Sequence, residues 1–265
     1  HGGKKLPNDP RNSLFKEFVR ATKIIQPEFI IGENVEGLLS RKTDTGDLFI
    51  NIIRKEFENI GYTIKYKVIK AEDCGVPQLR RRLIIVGTHY MLNYDYKFPE
   101  KIIKHNGINF IEPTLLNSIE IDRKNLPDNM NVTETITNDM KGKIHPYILS
   151  VLNKIPEYNG KKFDSLLSYS KRESPIHLEV IDYKKPSKTI ICTYEHQPRL
   201  LVPLSYDSKL FIRPFTVNEL KQIQGFPKDF TIYGNEKEQI IQIGNAVPPD
   251  LVAYIVDPIV QFLRI

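Results

Sequence analysis

A chain of 265 residues with 40% hydrophobic and 26% charged content can bury a real core, as one large α/β domain or two modest ones, and its composition is that of an ordinary globular protein. The net charge of +6 leans toward a polyanionic partner. Two cysteines, Cys74 and Cys192, exclude a disulfide framework and give no metal-ligand spacing; with no apolar run near membrane-spanning length and no signal peptide, a cytoplasmic location without a membrane is expected.

Asp9-Pro10-Arg11-Asn12 signals a helix start, continued by apolar residues at helical spacing (Leu14, Phe15, Phe18, Val19, Ile25) and stopped by Pro27. Phe29-Ile30-Ile31 predicts a short buried strand leading into Gly32-Glu33-Asn34-Val35. A second amphipathic helix carries Leu48, Phe49, Ile52, Ile53, Phe57 and Ile60 and closes at Gly61. An extended segment from Tyr62 to Ile69 follows. Then comes the most informative stretch, Cys74-Gly75-Val76-Pro77-Gln78-Leu79-Arg80-Arg81-Arg82, which runs into the apolar strand Leu83 to Val86. Alternate residues of a strand share a face, so Gln78, Arg80 and Arg82 are expected to point the same way. Fixed-charge donors entering a core need an anionic or acceptor-rich partner, although taken alone the stretch reads more simply as a basic strand edge. Strands and helices alternating through short connections predict a parallel, doubly wound sheet.

From about Asn93 to Lys185 the periodicity weakens and lysines cluster: Lys101, Lys104, Lys141, Lys143, Lys161, Lys162, Lys171, Arg172, Lys184 and Lys185. Each singly reads as solvated surface. Interleaved with His145, Tyr147, Tyr158, Tyr169 and His177, they suit a nucleic-acid face on an inserted, irregular, mostly β module. Order returns at Arg213-Pro214-Phe215-Thr216, where Thr216 as N-cap and Glu219 three residues on form a capping box. That helix stops at Gln224-Gly225-Phe226-Pro227. Gly244-Asn245, ahead of an apolar helix Leu251 to Leu263, offers free backbone N–H groups and a side-chain amide, or is a helix cap and nothing more.

In this order, Glu33-Asn34-Val35, Gln78-x-Arg80-x-Arg82, the variable basic region, Arg213 to Pro227 and Gly244 to Pro248 resemble the later motifs of cytosine-5 DNA methyltransferases. The likeness covers nearly the whole chain and includes Asp9 to Leu14. It implies an α/β fold: the second half of a doubly wound, Rossmann-like methyltransferase domain plus an irregular, mostly β target-recognition domain. Residues 1–92 are then the C-terminal half of the catalytic domain, 93–205 the target-recognition domain, and 206–265 a return to the catalytic domain with the C-terminal helix.

The reaction that the resemblance implies moves a methyl group from S-adenosyl-L-methionine to carbon 5 of a cytosine flipped out of a specific duplex DNA sequence, in bacterial restriction–modification. Carbon 5 is a poor nucleophile until a cysteine thiolate adds to carbon 6, which builds negative charge toward N3 and O2. A carboxyl group can deliver a proton to N3 while accepting from the exocyclic amine. By resemblance Glu33 does this, Arg82 donates to O2 and steadies Glu33, and Arg80 helps to hold the attacking group and target backbone. Asn245, Ala246 and Val247 contribute to the cofactor pocket, Arg213 to Pro227 is mostly architectural, and no metal is implied.

The family's Pro-Cys and glycine-rich cofactor motifs are not in this sequence. Cys74 stands where the family usually has an aromatic residue and Cys192 reads as a late strand residue, so both are expected to be buried structural thiols. The nucleophile is therefore expected from an N-terminal half of the same enzyme, as a separate chain or an omitted segment, and duplex DNA is the other expected partner. An isolated half-sheet leaves edges and helix faces uncovered, so residues 1–265 alone are expected to aggregate or need that partner. Two other readings stay open: a catalytically inactive DNA-binding protein derived from the family, and a tRNA cytosine-5 methyltransferase.

Overall fold

A computed structural model describes residues 14–121, 133–134, 179–181, 183–194, 200–206 and 209–264. The helix start expected at Asp9–Asn12 lies outside these residues, as do Lys141, Lys143, Lys161, Lys162, Lys171, Arg172, His145, Tyr147, Tyr158, Tyr169 and His177. The chain forms two compact units, each discontinuous in sequence: residues 1–70, 81–102 and 251–265, and residues 71–80 and 103–250. These seams lie elsewhere than the divisions at 92/93 and 205/206, which follow the change in composition.

In the first unit, α1 (Phe15–Ile25) ends where Gln26 turns left-handed at φ 49° and returns its N–H to the Thr22 carbonyl; Pro27 bars further helix. β1 (Phe29–Asn34), α2 (Phe49–Glu58) and β2 (Tyr62–Lys70) follow. β3 (Gln78–Leu79) belongs to the second unit, and β4 (Arg81–His89) returns to the first. The sheet order is β1-β4-β2, with β4 antiparallel to both neighbours. The α/β class stands, but the all-parallel sheet is corrected. A parallel neighbour needs a long covered crossover, whereas residues 71–80 carry only the short 3-10 turn Ala71–Asp73 before the chain comes back beside β2.

The apolar stripe of α2 (Phe49, Ile50, Ile53, Phe57) is buried, and three of these residues join Val19, Ile30, Tyr62, Ile64, Leu83 and Ile85 in one core. Gly87 sits between Ile30 and Ile64 on the central strand, where a Cβ would stand 2.5 Å from the Ile30 side chain and 2.8 Å from that of Ile64. The absence of a side chain there lets the two isoleucines close over β4. Ile31, expected in a buried strand, is exposed because β1 is an edge of this described sheet.

The stretch Glu236–Leu263 is long and apolar enough to cross a bilayer by length and composition alone, which the sequence reading missed. Its geometry is that of two helices, α4 (Glu236–Asn245) and α5 (Pro249–Leu263), separated by an extended Ala246. Leu251, Ile255 and Ile259 lie four apart on one buried face of α5, and the Tyr96 and Tyr94 hydroxyls donate to the Ile255 and Pro258 carbonyls at 3.0 and 3.2 Å.

In the second unit β5 (Ile119–Ile121), β10 (Lys209–Pro214), β9 (Leu200–Tyr206) and β6 (Thr133–Glu134) pair in that order, and β7 (Glu179–Val180) adds to β9. β3 pairs in parallel with β8 (Ser187–Lys188). These short strands make the sheet-rich module that the sequence predicts. One core gathers Ile108, Leu115, Ile181, Ile190, Tyr194, Val202, Leu204 and Phe215 with Leu220, Ile223, Ile240 and Ile243. Tyr194 ties it together by donating to the Leu200 carbonyl and accepting the Phe215 N–H, and burial pushes its phenol well above the usual range.

The capping box of α3 (Val217–Ile223) is present in both directions between Thr216 and Glu219. Glu219 also takes a fork from Arg213 at 2.7 and 2.8 Å, with the pair 0% and 1% exposed.

Candidate active site

Glu33 is the fifth residue of β1 and faces Ile84 on β4. Arg82 lies two residues before Ile84, hence on the same face of β4 as the residue opposite Glu33. Diagonal neighbours across an antiparallel pair are within reach of long side chains. The two meet: Arg82 Nε is 2.6 Å from Glu33 Oε1, with the side chains 15% and 32% exposed. Arg82 Nη1 donates to the Arg81 carbonyl at 2.8 Å. Among the described residues Glu33 Oε2 and Arg82 Nη2 have no partner. The pair therefore presents one open carboxylate oxygen beside one open guanidinium nitrogen, at a partly solvated strand end. Asn34 turns inward on its own backbone, its Oδ1 accepting the Val35 N–H at 2.8 Å, and Arg81 pairs with Glu36 at 2.8 Å.

Arg80 belongs to the second unit, and the expected common face of Gln78, Arg80 and Arg82 does not form. Two tight turns, each closed at 2.8 Å, interrupt the run: Gln78 N–H to Val76 O where β3 begins, and Arg80 N–H to Gln78 O just before β4. Alternation holds only along an unbroken strand. Gln78 and Arg80 are instead buried in a polar lattice. Gln78 Nε2 donates to Gln224 Oε1 at 2.7 Å, and its Oε1 accepts the Ile190 N–H at 3.0 Å. Arg80 Nη1 and Nη2 both reach the Gly244 carbonyl at 3.2 Å, and Nη2 reaches the Ala246 carbonyl at 2.9 Å. Gln224 Nε2 donates to the same Ala246 carbonyl.

Asn245 is thus flanked on both sides by clamped carbonyls. It closes α4 rather than opening a helix, and the Ala246 N–H is spent on the Gln242 and Ile243 carbonyls, so that group is not an open donor. What remains is the side-chain amide of Asn245, exposed and without a partner among the described residues, beside half-buried Ala246 and Val247. Gly244 is held close: a Cβ on it would lie 2.5 Å from the Cys192 backbone nitrogen. The sequence reading passed over Gln224, which stood in view in Gln-Gly-Phe-Pro as a long amide beside a helix-stopping glycine.

Cys74 does not have the surroundings of a nucleophile. Cys74 is buried, and its thiol is pushed up to about 12, first by burial and then by the charges of Asp73, Glu72 and Asp250. The fold keeps that proton to higher pH than the ordinary 9.0, so the stabilisation it brings is complete below 9.0 and is lost as pH rises through about 12. Cys192 is half-buried, not fully buried as expected. With iodoacetamide at pH 8, mass spectrometry is expected to find Cys192 alkylated first and Cys74 protected until the protein unfolds.

This is the fold of an α/β methyltransferase, with a carboxylate–arginine pair at a strand end and an exposed amide on a braced turn. The chain matches the C-5 cytosine-specific DNA methylases over residues 1–261 and belongs to that family. It is 30% identical to the Type II methyltransferase M1.HphI of Haemophilus parahaemolyticus over 268 residues, 98% of this chain and 63% of that protein. It is 29% identical to the Type II methyltransferase M.BspRI of Lysinibacillus sphaericus, over 98% of this chain and 57% of the relative. The chain therefore spans about three fifths of the length of these relatives. Among solved structures, the S. pombe Dnmt2 methyltransferase superposes with a TM-score of 0.61 at 18% identity, over all of this chain and 75% of that one. A putative DNA modification methyltransferase encoded within an E. coli prophage gives 0.59 at 21% identity, over 97% and 76%. At such identities the likeness is one of fold.

Proposed function

We propose that this chain supplies the base-holding and target-recognition part of a DNA (cytosine-5)-methyltransferase of bacterial restriction–modification, acting in the cytoplasm on a cytosine flipped out of a specific duplex sequence. The observation that carries the reading is the Glu33–Arg82 pair. Its open Oε2 and Nη2 match the N3 and O2 side of a cytosine ring, which needs a proton at one atom and a donor at the other. The fixed diagonal across β1 and β4 keeps the arginine from swinging away, so the acid is aimed before the base arrives.

S-adenosyl-L-methionine, when bound, supplies an electrophilic methyl group on sulfonium. The residues present fit part of such a ligand: the Asn245 amide can both donate and accept, and Ala246 and Val247 offer apolar surface beside it. The basic module of residues 93–205 is the proposed target-recognition region, with lysines on phosphates and a few side chains on base edges. Since Cys74 holds its proton tightly and neither cysteine carries the Pro-Cys motif, the thiolate comes from an N-terminal half, in the same polypeptide or as a partner chain.

The test joins residues 1–265 to an N-terminal half bearing Pro-Cys and follows labelled methyl from S-adenosyl-L-methionine into duplex DNA and into tRNA. Label in duplex DNA is expected. Label in tRNA alone overturns the substrate assignment; tight, salt-dependent DNA binding with no transfer makes the chain a binding module.

A further inference from the structure

Three side chains that the proposed reaction does not use are buried together. Gln78 and Gln224 are 0% exposed and Arg80 is 2% exposed. They come from β3, from the end of α3, and from the break between β3 and β4. All of them converge, directly or through one another, on two carbonyl oxygens. Those carbonyls belong to Gly244 and Ala246, the neighbours of Asn245 on either side. The opposite end of the lattice is anchored to a third segment, because Gln78 Oε1 accepts the Ile190 N–H and Arg80 Nη1 lies 3.4 Å from the Ile190 carbonyl. A Cβ on Gly244 would stand 2.5 Å from the Cys192 nitrogen and 2.7 Å from the Ile191 carbonyl carbon, so even a methyl group has no room there.

Burying a guanidinium is costly, and a helix end needs no such apparatus, since water or a simple cap satisfies its last carbonyls. What the apparatus does achieve is geometric. The Gly244 carbonyl lies in the peptide plane before Asn245, and the Ala246 N–H, held by the Gln242 and Ile243 carbonyls, lies in the plane after it, so neither plane that orients its Cα–Cβ bond can rotate; the clamp on the Ala246 carbonyl fixes the plane beyond. The Cα–Cβ bond that carries the exposed amide then points one way before any ligand arrives, and only the side-chain rotamers remain to be ordered on binding.

We propose that Arg80, with Gln78 and Gln224, is a positioning group for Asn245, and that its task in the reaction is to pre-aim that amide at the methyl donor rather than to touch the target base. This rests on the reading of Asn245 as a cofactor contact, and the variants below separate the two. Arg80→Lys keeps the charge but loses the planar fork that spans two carbonyls. Gln224→Asn withdraws one amide by a methylene.

In a preparation competent for methyl transfer, either variant is expected to weaken S-adenosyl-L-methionine affinity by about tenfold, measured by equilibrium calorimetry without DNA. KM for S-adenosyl-L-methionine should rise with it, while kcat at saturating cofactor and KM for DNA stay within about twofold. Asn245→Ala is expected to lose affinity by a similar factor, and adding Arg80→Lys to it to cost little more, since an absent amide cannot be misaimed. If Asn245→Ala leaves affinity unchanged, the cofactor reading itself fails and the proposal goes with it. If Asn245→Ala weakens binding but Arg80→Lys and Gln224→Asn do not, or if they lower kcat at saturating cofactor, the positioning role is overturned and Arg80 belongs with the reacting base. If neither variant folds, the lattice is a folding element only and the proposal is rejected.

Discussion

Replacing Glu219 with alanine is expected to destabilise the protein by about 3–5 kcal/mol, because it leaves a buried cation without its counter-ion. Arg213 is 1% exposed and all five of its donors are occupied. Nε goes to the Thr114 carbonyl, Nη1 to the Pro214 carbonyl and Glu219 Oε2, and Nη2 to the Glu112 carbonyl and Glu219 Oε1. The carboxylate is equally full, since it also accepts the Thr216 and Glu112 N–H groups at 2.8 and 2.7 Å. One side chain therefore caps α3, neutralises a buried charge and fastens the Glu112–Thr114 segment. In a chain of this length the loss corresponds to a Tm drop of about 6–20 °C, read by circular dichroism in the methyl-transfer-competent preparation. Arg213→Met combined with Glu219→Leu removes both charges, and it should recover part of that loss. A double variant no more stable than Glu219→Ala would show that the unpaired charge was not the cause.

How far such a site can be read from sequence depends on the range of the forces that make it. The capping box was legible because Thr216 and Glu219 are three residues apart and the helix sets their distance. The partner of Glu219 six residues upstream was not, since a fork aimed at Glu112 and Thr114 depends on a chain crossing about a hundred residues away. The stripe of α2 was legible from its period at Phe49, Ile53 and Phe57, whereas Ile50 is buried without having been selected and Ile52, which was selected, is half-buried. Strand direction was not, because alternation tells which face a residue takes and nothing about which way the neighbour runs. Arg80 shows the same limit at the site. Its sequence position puts it in step with Arg82, yet the tight turn from Gln78 to Arg80 ends just before β4 begins, so the strand is broken at Arg80. Glu33 and Arg82 came together as the resemblance implies, and the register of β1 against β4 supplies the physical reason.

That register is also why Glu33 is expected to be the most costly single residue for the reaction. Glu33→Gln keeps the length of the side chain and an oxygen that can accept from an exocyclic amine, but an amide cannot hand a proton to N3. Methyl transfer should fall by about 10²–10⁴-fold, the usual contribution of a positioned acid. DNA affinity should change little, because a carboxylate adds nothing to phosphate contacts. Arg82→Met should fall in the same range, since it removes both the proposed O2 donor and the group paired with Glu33 across the strands. If the two residues act as a unit, the double variant will be hardly slower than the slower single one. Additive losses would mean that they serve separate steps and that the ion pair is incidental. A Glu33→Gln enzyme retaining more than about a tenth of the activity would remove the proton-donor role altogether, since a positioned acid is worth at least about 10²-fold.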